Sequence, residues 1–232
     1  MVGMGTAKFG LLLQYWLVND QTSSNLNNRI RRSEIKFNGS AVENTRWFVM
    51  VDPAKTMRSG AVAQTNDNKI LQDFGVGFLL TPEVEIVFGQ FKTPTTAEGL
   101  DSSSELLLPE RAYTARNFGD RREPGAMITY TTPSMKLSLM SSNGQGPNVD
   151  DTTVRNEKDL HFRVDGTLSN ELKVGFFTTA GDSETQTKAR YGLNARGAFD
   201  GLLVRLEGVR ANDSSVWTTG GVVDFAYQFT DA

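Results

Sequence analysis

The 232-residue chain has no cysteine, which excludes a disulfide framework, a thiolate metal centre and a cysteine nucleophile. It has a single histidine, His161, so a metal site would rest on scattered carboxylates, and no cofactor is expected. Long apolar runs are absent too. Phe9 to Leu13 falls far short of the roughly 20 residues that a spanning helix needs, as do Trp47 to Val51 and Phe74 to Leu80. Charge of one sign is also lacking: 24 Lys+Arg stand against 27 Asp+Glu, and nothing in that balance points to nucleic acid. The first residues, Met1 to Gly5, lack the basic and apolar regions of a secretory signal, so an exported protein would be present here as a mature or engineered form. No low-complexity tract, linker or repeat divides the sequence, and one domain over 1–232 is the expectation.

What is present is alternation. Twelve segments alternate apolar and polar residues with period two, punctuated by Gly, Pro, Asn, Asp and Ser clusters. They run over 8–18, 28–38, 45–52, 70–80, 84–92, 125–131, 135–142, 160–166, 171–180, 189–198, 202–211 and 217–229. On these boundaries the odd-numbered connections hold 9, 17, 32, 17, 8 and 5 residues and the even-numbered ones 6, 3, 3, 4 and 3. Sorting of loops by parity predicts an all-β, transmembrane, antiparallel up-and-down β-barrel with tight turns at one rim and longer loops at the other. A Greek-key sandwich has no reason to sort its loops so.

The two faces of the strands agree with that reading. Phe9, Leu11, Leu13, Tyr15 and Leu17 fall on one side of the first strand and Lys8, Gly10 and Gln14 on the other. Leu160, Phe162 and Val164 oppose His161, Arg163 and Asp165, and Val223, Phe225, Tyr227 and Phe229 oppose Asp224 and Gln228. Tyr15, Trp47, Tyr130, Trp217 and Tyr227 sit near strand ends, where an interfacial aromatic girdle belongs. Charges recur deep within the polar face, which a water-filled lumen tolerates without desolvation cost.

Two stretches resemble the phosphate-selective porin O/P family. One is Val87-Phe88-Gly89-Gln90-Phe91-Lys92-Thr93-Pro94, followed by Ser102 through Arg111; the other is Arg31-Arg32-Ser33-Glu34-Ile35-Lys36-Phe37-Asn38-Gly39. The resemblance implies a porin of the bacterial outer membrane, integral in its lipid and usually a homotrimer. It also implies a loop folded into the pore and an interior that favours anions. The chain departs from the family in strand number, since family barrels close with more strands, and in its end, where Phe229 is followed by Thr230, Asp231 and Ala232. A short or truncated member is the expectation.

Pore-lining candidates follow from the polar face. It carries the cations Lys8, Arg32, Lys36, Arg46, Lys92, Lys136, Arg163, Lys173, Arg190, Arg196 and Arg205 against the anions Glu34, Asp52, Asp73, Asp165, Glu171, Glu207 and Asp224. A positive surplus in a narrow water column raises local anion concentration; the alternative is that these charges are solvated or cross-paired. The connection over 93–124 is too long for an idle turn. Ser102 with Glu105 forms a capping box, and Pro109 fits the first position of a second short helix reaching Arg116. By resemblance this loop enters the barrel as its constriction, bringing Glu98, Glu105 and Glu110 near Arg111, Arg116, Arg121 and Arg122. The bland alternative is an external loop held by local salt bridges.

The expected function is a passive, weakly anion-preferring diffusion channel for small solutes and inorganic anions, not an enzyme. One alternative is a scaffold barrel whose lumen the long loop plugs. Another is an outer-membrane phospholipase, which would need a serine and an orienting polar group beside a histidine on the lipid-facing wall. The pattern puts His161 on the polar face instead, and no glycine-flanked serine motif stands out. Asp150 and Asp151, and Asp182 with Glu184, read as solvated loop acids, with surface divalent-ion contacts as the alternative. Lys188 falls at the edge of an outer connection.

Overall fold

The structure, a computed structural model, describes residues 5–20, 25–57, 70–149, 158–182 and 187–228. The strands are β1 (Thr6–Asp20), β2 (Asn25–Ser40), β3 (Thr45–Val51), β4 (Leu71–Leu79), β5 (Val84–Lys92), β6 (Arg122–Thr131), β7 (Met135–Ser142), β8 (Asp159–Thr167), β9 (Leu172–Asp182), β10 (Thr187–Phe199), β11 (Leu202–Asp213) and β12 (Val216–Tyr227). Two short helices, α1 (Ala97–Leu100) and α2 (Tyr113–Phe118), lie between β5 and β6. The strand order is the sequence order from β1 to β12, an up-and-down series that the described pairing leaves open rather than ringed. The contacts gather into two compact units, Met1–Phe78 and Leu79–Ala232.

In the first unit β1 and β2 pair over their whole lengths, with a bulge between Gln14 and Tyr15. Both outrun the segments predicted from sequence. Val18 pairs with Asn27 and Asn19 with Leu26, so the stretch from Asn25 to Asn27, which reads as loop, is held in the sheet by its partner. A short 3-10 turn, Pro53–Thr56, follows β3, and the Asp52 carboxylate caps it by accepting from Ala54 N. That carboxylate also accepts from Ser33 N at 2.8 Å. Asp52 is therefore a turn-holding residue and not a free charge on the polar face.

In the second unit the tight turns follow their chemistry. Asp200 and Gly201, both at positive φ, make the two-residue hairpin between β10 and β11 that an Asp-Gly pair favours. Ser214 and Ser215 adopt positive φ between β11 and β12. β6 begins at Arg122, three residues before the predicted start. Pro124, which argues against strand, nevertheless pairs with Gln90. Glu171, expected on the polar face, lies in the turn before β9, where Ser169 Oγ donates to it.

Burial is inverted relative to a water-soluble protein. Phe9, Leu11, Leu13 and Leu17 in the first unit, and Leu139, Leu160, Leu193 and Phe225 in the second, are all more than half exposed. Glu123, His161, Arg163, Lys188, Arg190 and Glu207 on the other face are all buried. Asp150, Asp151, Ser183, Glu184 and Phe229 lie outside the described residues.

Candidate functional site

The connection between β5 and β6 departs from the strands through a neck in which Thr93 N donates to Arg121 O at 2.9 Å. Beyond the neck, α1 is capped twice. The Thr96 hydroxyl accepts from Gly99 N, and the Glu207 carboxylate of β11 accepts from Ala97 N at 2.6 Å. A carboxylate at the first N–H groups of a helix, which have no partner within the helix, is where the backbone dipoles favour negative charge. The predicted capping box is not a helix start: Ser102 and Glu105 form a turn in which Ser102 O accepts from Glu105 N. The second helix begins at Tyr113, four residues past Pro109, and Ala112 N at its start donates to Glu98 Oε2 at 2.8 Å.

The loop lies against the polar face of β8 to β12. Arg163 of β8 donates to Thr95 O and holds Asp165 with two further nitrogens. Arg196 of β10 grips Asp101 with both terminal nitrogens at 2.8 Å. Phe118 of α2 joins Phe177 of β9 and Val209 and Ala211 of β11 in a small apolar cluster. Gly220 of β12 makes room for α2, since a Cβ there would come within 2.7 Å of Thr114 Cγ2. A set of apolar side chains on an otherwise polar face thus fixes the helix, while charged groups fix the rest of the loop.

Asp120 is the hub of the loop's own charges. Its carboxylate lies 3.2 Å from Arg111, 3.6 Å from Lys92 and 3.7 Å from Arg122. Lys92 Nζ donates to Gly99 O and Asp101 O, each at 2.6 Å, and Arg111 donates to Glu98 O and Asp101 O. Burial pushes the Glu98 carboxyl above its ordinary value of 4.5, against the lowering effect of the bond from Ala112 N. Burial lowers the Arg121 guanidinium, with Arg190 adding to the effect.

A second cluster lies where β6 to β10 meet. Ser142 Oγ donates to Glu123 and lies 3.0 Å from His161 Nε2, and His161 Nδ1 lies 2.9 Å from Thr179 Oγ1. Beside them Lys188 Nζ is 3.0 Å from Asp159, and Arg190 pairs with Asp213 through two bonds. Glu123, Asp159 and His161 offer ligand atoms within 4.8 Å of one another, a convergence that sequence reading of scattered carboxylates missed. A divalent ion there would have to displace the Lys188 ammonium, which already neutralises Asp159.

A profile of the family described as phosphate-selective porin O and P matches residues 13–211. The chain belongs to that family. It is accordingly an outer-membrane porin. Among solved structures the porin is similar to OmpT, an outer membrane protein of Vibrio cholerae in its trimer form. The identity is 13% over 98% of this chain and 85% of that one, with a TM-score of 0.43. A Rhodopseudomonas blastica porin triple mutant is similar at 12% identity over 98% of this chain and 91% of that one, with a TM-score of 0.38. No curated protein matches the chain in sequence.

Within the porin, the candidates drawn from sequence separate into groups. Lys92, Glu98, Arg111 and Arg122 come together around the loop's interior, with Arg163, Arg196 and Arg205 against it from the wall. Arg121 and Arg190 belong to the second cluster. Arg32 is buried and donates to Gln14, Lys36 pairs with Glu34 at 2.9 Å, and Arg46 covers the Phe48 ring; all belong to the first unit. Glu105, Arg116 and Lys136 are exposed, Glu110 half so. Glu105 and Arg116 thus do not share the buried core of the loop with Glu98 and Arg111. Sequence reading missed Asp120 and Asp101, whose roles depend on the fold of the loop. It also missed Lys188, which is buried on the polar face and not at a loop edge. Its position two residues before Arg190 in an alternating strand is the signal that could have found it.

Proposed function

We propose that the porin is a passive, weakly anion-preferring diffusion channel in the bacterial outer membrane, closed as a β-barrel and narrowed by the loop over 93–121. The observation that carries this reading is the loop's docking on the polar face of strands whose opposite face is apolar and exposed. Such an apolar face suits lipid, and a charged face suits water. On this reading the constriction is lined by Lys92, Glu98, Arg111, Arg122, Arg163, Arg196 and Arg205, with Lys136 and Arg190 on the wall. Arg32, Lys36 and Arg46 contribute to the wall from the first unit. Small solutes and inorganic anions are its cargo, and the family resemblance supports a homotrimer.

The preference is weak because the positive wall is largely compensated. Arg163 meets Asp165, Lys188 meets Asp159, Arg190 meets Asp213 and Arg196 meets Asp101. A paired guanidinium contributes little long-range field across a Debye length of about 8 Å in physiological salt. Planar-bilayer recording under a salt gradient tests the proposal: stable conductance steps with a small anion-selective reversal potential are expected. A protein that inserts without steps would favour the plugged scaffold instead.

The Ser142, His161 and Thr179 chain gives the hydrolase reading a specific observation to answer. Ser142 has one proton and directs it to Glu123, so His161 Nε2 must donate to Ser142 rather than accept from it. The histidine is then the wrong tautomer to act as the serine's base. Ser142 is also buried, on the face away from the exposed apolar surface.

A further inference from the structure

Asp101 follows α1 directly, and its carboxylate meets the Arg196 guanidinium edge to edge, with two bonds of 2.8 Å. A planar fork against a planar carboxylate is the arrangement in which arginine binds an anion most strongly. The second arginine beside it is less well served. Arg205 NH1 is 3.5 Å from Asp101 Oδ2, beyond a normal hydrogen bond. Both Nε and NH1 of Arg205 are buried without a hydrogen-bond acceptor. Donors suited to an oxyanion are therefore left over next to a carboxylate that is already seated.

Access to this place exists. Asp101 and Arg196, on the side away from Arg205, line a cavity of about 360 Å³ that also reaches Lys136, Lys173 and Asp165, and Thr132 and Ser134 of the tight turn between β6 and β7 line it too. That volume accommodates a small organic acid with its water.

We propose that Arg196 and Arg205 form a carboxylate-binding site on the strand wall, which the loop's own Asp101 fills as a tethered competitor. Free carboxylates of low mass bind there when Asp101 is removed or swings away. The place of this site in transport rests on the channel reading; its existence does not. A group tethered by a short segment competes at an effective concentration of millimolar order or above, so in the unaltered chain a free acid must exceed that concentration to displace it. The same contact makes Asp101 a determinant of selectivity, because its carboxylate cancels one of the two positive charges that a permeating anion would meet.

Titration of the detergent-solubilised protein with sodium acetate tests this directly. Asp101→Ala is expected to bind acetate at least about tenfold more tightly than the unaltered chain, and Asp101→Ala with Arg196→Gln is expected to lose that binding. Asp101→Asn, which preserves the size of the side chain, serves the same purpose if the alanine variant does not fold, with the same direction expected. Equal acetate affinity in the unaltered and Asp101 variants would overturn the proposal, as would binding that survives Arg196→Gln. Inorganic phosphate binding the Asp101 variant more tightly than acetate would overturn the assignment to carboxylates. Acetate binding by a protein that gives no conductance steps would sink the channel reading and leave the site standing.

Discussion

Buried charge in the loop and on the polar face divides into groups that hold the loop and groups that hold the sheet, and the difference is measurable residue by residue. Glu98 belongs to the first kind. Its carboxyl is raised above 4.5 by burial, so the docked loop holds that proton more tightly than the undocked loop. Docking is then strongest below the ordinary carboxyl range and weakens as pH rises through 4.5 toward the raised value. Glu98→Gln retains an acceptor for Ala112 N and removes the buried charge. Protection of the loop from protease in the variant should fall less steeply with pH than in the parent and at neutral pH be no lower, with the remaining slope left to the Glu207 carboxylate that caps α1; a slope as steep as the parent's would assign it wholly to other groups. Lys188 belongs to the second kind. It lies in a buried pair with Asp159 and also donates to Gly144 O. Lys188→Met leaves Asp159 uncompensated and should cost about 3–5 kcal/mol in denaturant unfolding. Asp159→Asn added to it should recover much of that loss, and an additive double variant would contradict the pairing.

Elements were legible in the sequence wherever alternation carried the information, and illegible where a partner did. The faces of β1, β8 and β12 follow directly from period two, because one residue of slip would turn every side chain over. The start of β2 and the first three residues of β6 were not legible: Asn27 and Pro124 are poor strand residues locally and are placed by Val18 and Gln90 across the ladder. In the long loop the existence of structure could be read from its length, but not its capping. Thr96 and Glu207 cap α1, and Glu207 is more than a hundred residues away. The α2 seat offers a test at this scale. Gly220→Val places atoms where Thr114 lies and should release the helix, raising protease cleavage within 97–118 several-fold. Gly208→Val is the control, since a Cβ at Gly208 meets nothing within 4 Å. Equal cleavage of the two variants would mean that α2 is not held against β12.

For the molecule as a whole, the inverted burial and family membership state the same physics: a surface that water disfavours, and a charged face that needs water. What decides function is whether the loop over 93–121 obstructs that water. Its neck is closed by the bond from Thr93 to Arg121, so residues 97–118 can be replaced by a short Gly-Ser linker without moving β5 from β6. The single-channel conductance of that variant beside the parent in planar bilayers measures the obstruction most directly. A severalfold larger conductance with the β-sheet spectrum retained is the predicted result. An unchanged conductance in a folded variant would contradict it, placing the loop outside the path that ions take.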